Sequence, residues 1–192
     1  MQDDFRFLAR IYDRLIKAPN KPGWVKIIGD RGKVDRILDA GGGTGRLLQY
    51  LLPLGKRIQL CDISFPMLLS AKEKKLPISI LCTRTEFLPY QTNSFDVIVM
   101  VDAFHHLIDQ KASLIELLRC LKVGGKLVIE EPDKNKFFVK WIVLMEKLLQ
   151  MRSHFLTSDE IAAFIPPTVF IIDRYYQENN FYLIIEKIIP GY

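Results

Sequence analysis

Short runs of β-branched and other apolar residues alternate along this chain with longer stretches in which apolar residues recur every three to four positions. This alternation is how a parallel sheet with crossover helices is written in sequence. Strands buried on both faces lose the polar half of their period, and each crossover helix covers the sheet with one face. Strands are predicted over 36–40, 57–63, 78–83, 95–101 and 126–130, with two more over 169–173 and 182–187. Helices are predicted over 4–17, 45–54, 66–75, 110–121, 137–151 and 158–164. Gly124 and Gly125 read as the stop signal of the fourth helix, since glycine takes the left-handed conformation that ends many helices. The last two strands flank the polar turn around Gln177 to Asn180, so they are expected to form an antiparallel hairpin at a sheet edge. The expected architecture is a three-layer α/β fold around a mostly parallel, seven-stranded sheet.

The chain has 192 residues, 49% of them hydrophobic, which is enough for one sizeable core and leaves little for a second. A single domain over 1–192 is therefore expected, with 1–23 as an N-terminal helix and linker and 132–166 as a helical insertion. Cys61, Cys82 and Cys120 lie in or beside apolar runs. An odd count without paired spacing reads as reduced core thiols rather than disulfides or a metal knot. The N-terminus is acidic and then amphipathic, unlike a secretory signal, and no apolar run reaches membrane-spanning length. A cytoplasmic protein is expected. The net charge of +5 would suit a polyanion, but the 27 Lys and Arg are spread along the whole chain, which favours a solvated surface over a nucleic-acid face.

The chemistry concentrates in Ile37-Leu-Asp-Ala-Gly-Gly-Gly-Thr-Gly-Arg-Leu48, where a strand runs into four glycines and then a helix. Glycines at 41, 43 and 45 allow tight turning and close ligand approach, and a helix start offers unpaired N–H groups. Asp39, at the strand's end, can anchor the turn or meet an ammonium group. A dinucleotide turn would need G-x-G-x-x-G/A. From Gly41 the last position is Arg46, and from Gly43 it is Leu48, so neither register supplies it.

The pattern that is present, D-x-G-x-G-x-G over Asp39 to Gly45, resembles the first motif of class I S-adenosylmethionine-dependent methyltransferases. The resemblance extends along most of the chain. Asp62-Ile-Ser-Phe-Pro-Met-Leu-Leu-Ser-Ala71 looks like the family's D-x-S-x-x-M-L-x-x-A, Thr83 to Tyr90 like its D-A-E-x-L-P-F segment, and Leu121 to Pro132 like its L-K-P-G-G-x-L-x-I-x-x-P. It implies a Rossmann-like methyltransferase fold with S-adenosylmethionine as cofactor. The implied cofactor residues are Asp39, Ala40, Gly41, Gly43 and Gly45 at the turn, Asp62 on the ribose with Ile63 and Met67 beside it, Arg84, Thr85 and Glu86 around the adenine, and Val101 at the end of the fourth strand. Arg84 stands where the family carries an aspartate that accepts from the adenine amino group. That leaves the backbone, Thr85, Glu86 and Phe87 to build the adenine pocket, or Arg84 to stack on the ring. His105 and His106 fall near the methyl, where either imidazole could act as base or simply cap and pack. Asp102 and Glu130 are also within reach of that role. No metal is implied.

The reaction is an in-line attack on an already activated methyl carbon, so the protein mainly supplies positioning and a water-poor site. A nucleic-acid amino methyltransferase would carry N/D/S-P-P-Y/F after the fourth strand, and a pyrimidine carbon methyltransferase a Pro-Cys nucleophile. This chain has Asp102-Ala-Phe-His and no Pro-Cys. Phe5 to Asp13 looks like the F-x-x-x-A-x-x-Y-D opening of the ubiquinone and menaquinone biosynthesis C-methyltransferases and their small-molecule relatives, which implies a small acceptor. Residues 136–151 are far more apolar than a one-faced surface helix requires, and read as a lid over an apolar acceptor, a membrane-surface contact, or packing within the chain or against a second copy in a homodimer. A non-enzymatic binder of the cofactor is the other functional class.

Overall fold

A computed structural model describes residues 22–30, 32–137, 139–141, 153–166 and 170–188 of the chain. The helix predicted over 4–17 lies outside these residues, as does 142–151 of the apolar helix. The described elements run α1 (Gly23–Gly29), β1 (Val34–Ala40), α2 (Leu48–Leu51), β2 (Gly55–Asp62), α3 (Phe65–Glu73), β3 (Ile78–Cys82), β4 (Phe95–Val101), α4 (Gln110–Cys120), β5 (Leu121–Pro132), α5 (Ser158–Ala162), β6 (Phe170–Gln177) and β7 (Asn180–Lys187). Single 3₁₀ turns stand at Thr85–Phe87 and Phe104–His106.

The seven strands form one sheet in the order β3-β2-β1-β4-β5-β7-β6. The first five are parallel, and β7 joins β5 and β6 antiparallel. The expected α/β sheet with its C-terminal hairpin is therefore what the chain builds. The central strands are buried on both faces, β4 almost throughout. One apolar cluster packs Phe104, Leu114, Leu117 and Leu118 on one face, and a second packs Trp24, Leu48, Leu51 and Leu68 on the other. These are the three layers. From β1 the chain winds outward to β2 and β3 on one side, then crosses back from β3 to β4 on the other side of β1. The carboxyl ends of β1 and β4 thus flank the topological switch point, where open α/β sheets hold their ligands.

Four local expectations are corrected. Helix α1 falls where only a linker end was expected. Trp24 and Ile28 are four residues apart on one buried face, but glycines at both ends disguise the pattern. The helix expected over 45–54 shrinks to Leu48–Leu51, because Gly43 (φ 53) and Gly45 (φ 73) are left-handed and cannot continue a right-handed helix. Gly124 and Gly125 do not stop α4, which ends at Cys120 as the chain turns directly into β5. They sit where β5 slips register against β4, between Phe95↔Leu121 and Val97↔Lys126. Of the three free thiols, Cys61 and Cys120 are buried but Cys82 is exposed.

Lys187 closes this region from β7. Its Nζ is buried and donates to Asn93 Oδ1 (3.1 Å) and to the carbonyls of Leu118 (3.2 Å) and Leu121 (3.1 Å), satisfying the end of α4. Burial pushes its pKa below the ordinary lysine value.

Among the described residues of the apolar helix, 137 and 139–141 are helical. Val139 is buried, whereas Phe137 is 78% and Trp141 56% exposed. A Trp141→Ala chain is accordingly expected to change stability by no more than about 0.5 kcal/mol in thermal unfolding. A loss of several kcal/mol would show the indole to be packed in the core.

Candidate active site

The carboxyl edge of the sheet brings three chain reversals together. β1 ends in the glycine turn, β2 ends at Asp62, and β4 ends at Val101 before Asp102. Between them lies a cleft of about 800 Å³, its open mouth included, lined by these reversals and by the 3₁₀ turns that follow β3 and β4. Its size suits a small-molecule ligand.

The turn's own hydrogen bonds limit which ligand that can be. Gly41 N and Gly42 N donate to Cys61 O (2.8 and 3.1 Å), Gly45 N donates to Gly42 O (2.8 Å), and Gly43 N donates to Asp62 Oδ2 (2.9 Å). These N–H groups are spent inside the chain, and α2 is a single turn. Among the described residues, these bonds leave no row of free glycine amides aimed at a pyrophosphate. The cations of the cleft are also engaged by acids. Arg46 Nη2 meets Asp102 Oδ2 at 2.5 Å, and Arg84 forks onto Glu86 at 2.9 and 3.3 Å. What remains is a side-chain-free glycine wall, the Asp62 carboxylate, and apolar surface from Ile63, Met67, Val101, Leu107 and Ile108. This donor and acceptor set fits a nucleoside without phosphates. That is the chemistry of S-adenosylmethionine and not of a dinucleotide.

Asp62 is held for such a role. Its Oδ2 accepts from Gly43 N, and its Oδ1 accepts from Ser64 N at 2.7 Å. A Cβ added to Gly43 would stand 3.8 Å from Oδ2, so the missing side chain keeps this approach open. Asp39 is 1% exposed, and neither of its carboxylate oxygens has a hydrogen-bond partner among the described residues. It fills the space beneath Gly42, whose added Cβ would meet Asp39 Cγ at 2.7 Å. Burial pushes its pKa up to about 7 against the opposing pull of the Arg46 guanidinium, with the Asp62 charge adding to the rise.

Of the sequence-derived candidates, the structure gathers Gly41, Gly43, Asp62, Ile63, Met67, Arg84, Thr85, Glu86, Val101 and His106 along the cleft. Asp39, Ala40 and Gly45 lie behind it as buried supports of the turn. His105 is not brought to the cleft. It is buried, its Nδ1 paired with Glu131 Oε2 and its ring stacked on Phe155 at 4.3 Å between centroids. His106 Nδ1 stands 3.2 Å from Ser153 Oγ. Phe87 is 68% exposed and does not line the cleft, and its ring takes the Arg84 guanidinium at 5.3 Å. Glu130 is committed elsewhere, accepting from Trp24 Nε1 (2.6 Å) and Asn180 Nδ2 (3.0 Å), and burial raises its pKa.

Sequence reasoning passed over Gly42, Arg46, Thr83, Ala103, Leu107 and Ile108 as lining residues. Arg46 had a signal, being the first charged residue after the glycine turn. Its partner Asp102 carries another. It is a non-glycine residue at φ 51, a conformation that clusters at functional sites.

Residues 38–129 match a family model described as a methyltransferase domain. A demethylmenaquinone methyltransferase of Paenarthrobacter aurescens is 31% identical over 111 residues, 56% of this chain and 44% of that protein. A ubiquinone/menaquinone biosynthesis C-methyltransferase of Shewanella piezotolerans is 32% identical over 110 residues, 53% of this chain and 44% of its own length. The chain thus matches less than half the length of these curated relatives. Two solved structures share the fold. One is a complex between the Haloferax volcanii Trm112 methyltransferase activator and a methyltransferase (TM-score 0.76, 16% identity, 98% of this chain and 99% of that chain). The other is an S-adenosylmethionine-dependent methyltransferase from Thermotoga maritima (TM-score 0.74, 19% identity, 97% and 100%). Residues 38–129, set in this sheet and beside this cleft, are therefore similar to a methyltransferase domain.

Proposed function

We propose that the chain binds S-adenosylmethionine in this cleft and transfers its methyl group to a small-molecule acceptor. The observation that carries the reading is the glycine turn whose amides bond within the chain while the Asp62 carboxylate that receives one of them lines the cleft beside it. The ribose diol donates to Asp62. The adenine lies against Ile63 and Met67 and the backbone of Thr85 and Glu86, with Arg84 engaged by Glu86 rather than stacked on the base. The Gly41 backbone and the Arg46–Asp102 pair face the amino-acid end, and Ala40, Gly45 and Asp39 support the turn from behind. The cofactor supplies an activated methyl group, so the protein's task is to align an acceptor lone pair and exclude water. His106, on the cleft wall, is placed to take a proton from a phenolic or enolic acceptor. A small acceptor is supported by relatives named demethylmenaquinone methyltransferase, and the chain's departure from the nucleic-acid motifs argues the same way. Among the described residues no helix is long and apolar enough to cross a membrane.

Calorimetric titration with S-adenosylhomocysteine tests the site. An Asp62→Ala chain is expected to bind about 10- to 150-fold more weakly, from the loss of about 1.5–3 kcal/mol of hydrogen bonding to a charged group. Unchanged affinity in a folded variant removes Asp62 from the site. Turnover tests the reaction. Labelled methyl groups should pass into a metabolite of a cell extract, and tight binding without a labelled product would favour a non-enzymatic binder.

A further inference from the structure

A second cavity, about 700 Å³ with its open mouth included, is lined by Lys134, Asn135, Lys140, Ser153 and Phe155. It shares a wall with the first cleft. His106 lines the cleft, and its Nδ1 stands 3.2 Å from Ser153 Oγ in the second cavity. The segment around Ser153 is tied to that wall at further points. His154 N donates to His105 O (2.8 Å), Gln110 Nε2 donates to both His154 O (2.7 Å) and Phe104 O (3.1 Å), and the Phe155 ring stacks on His105 at an interplanar angle of 16°.

Resting on the cofactor reading above, we propose that this second cavity is the acceptor subsite and that it takes a small aromatic acid. Phe155 offers the apolar surface for a ring, while the Asn135 amide, the Ser153 hydroxyl and the lysines offer donors for an acidic group. The lysines are not equivalent. Lys134 Nζ is held by Glu160 Oε2 at 2.6 Å, whereas the Lys140 ammonium has no ion-pair partner among the described residues. Lys140 therefore carries the charge that selects a carboxylate, through a hydrogen bond between opposite charges of which a neutral acceptor lacks one. For methyl transfer, an acid seated there must reach past His106 into the cleft. The aromatic ring supplies the apolar character expected of the acceptor, and the anionic group is the added requirement.

The test uses the full chain saturated with S-adenosylhomocysteine and titrated with benzoate or its neutral counterpart benzamide. Benzoate is expected to bind at least tenfold more tightly than benzamide. A Lys140→Gln chain should bind benzoate about tenfold more weakly, with benzamide and S-adenosylhomocysteine affinities unchanged, because Lys140 is exposed and does not line the cofactor cleft. Equal affinity for the two probes, indifference of benzoate to Lys140→Gln, or no benzoate binding to a chain that does bind S-adenosylhomocysteine each overturns the proposal. Failure of S-adenosylhomocysteine itself to bind overturns the cofactor reading and the acceptor role with it, whatever benzoate does.

Discussion

A Glu131→Ala chain is expected to be about 3–5 kcal/mol less stable than the parent in chemical denaturation, the usual cost of removing one partner from a buried, hydrogen-bonded charge. Glu131 is 2% exposed at the end of β5. One oxygen accepts from Ala103 N (2.9 Å) and Phe104 N (2.8 Å), and the other meets His105 Nδ1. Its removal strands two amides and an imidazole at the start of the 3₁₀ turn that forms one wall of the cleft. Affinity for S-adenosylhomocysteine should fall in the same variant, since Ala103 and His106 both line that wall. A Glu131→Gln chain keeps a carbonyl oxygen for the two amides and should recover part of the stability. An unchanged denaturation midpoint in Glu131→Ala would show that the wall stands without it.

Glu131 also shows where reading the sequence stops. The strand pattern was legible because buried parallel strands are written as apolar runs, and β4 falls over 95–101 as expected. The glycine turn and Asp62 were legible because their spacing is local. Neither the partners of Glu131 nor the pairing of Arg46 with Asp102 is local. Each joins residues 26 to 56 positions apart. Parallel register could have exposed the first. With Val101 opposite Glu130, the next residue of β5 meets the chain just after β4. The two histidines are adjacent and alike in sequence, and only their contacts in the fold separate them. His105 turns toward Glu131 and His106 toward the cleft. The internal spending of the turn's amides was invisible, because the motif names residues and not the carbonyls they find. Helix α1 was hidden for a different reason. It is short and bounded by glycines, and what fixes it is the distant bond from Trp24 to Glu130.

Replacing Asp39 by Asn should change how stability depends on pH, and at pH 8 it should leave the ligand-free chain more stable than the parent by up to about 4 kcal/mol. In the unfolded chain the Asp39 carboxyl loses its proton near 3.8, whereas in the folded chain burial holds it to about 7. Between those values the folded state binds more protons, so stability falls as pH rises. The contribution is complete below about pH 3.8 and gone above about pH 7, and the displacement amounts to about 4 kcal/mol in all. Asparagine has similar shape and no charge to bury, so the variant should match the parent in acid and separate from it as pH rises. Urea denaturation of both chains from pH 4 to 8 reads the difference directly, because groups such as Glu130 that shift in the same sense are common to the two and cancel. Parallel profiles would mean that Asp39 finds a partner when folded. The parent retains a buried carboxylate without a hydrogen bond, at a cost in stability, one turn behind a cleft proposed to receive a cationic ligand. Such a ligand favours the ionised form, so S-adenosylmethionine binding near pH 6.5 is expected to release a proton in the parent and none in Asp39→Asn. Calorimetry in buffers of different ionisation enthalpy measures that proton, and equal release from both chains would separate the instability of Asp39 from any part in binding.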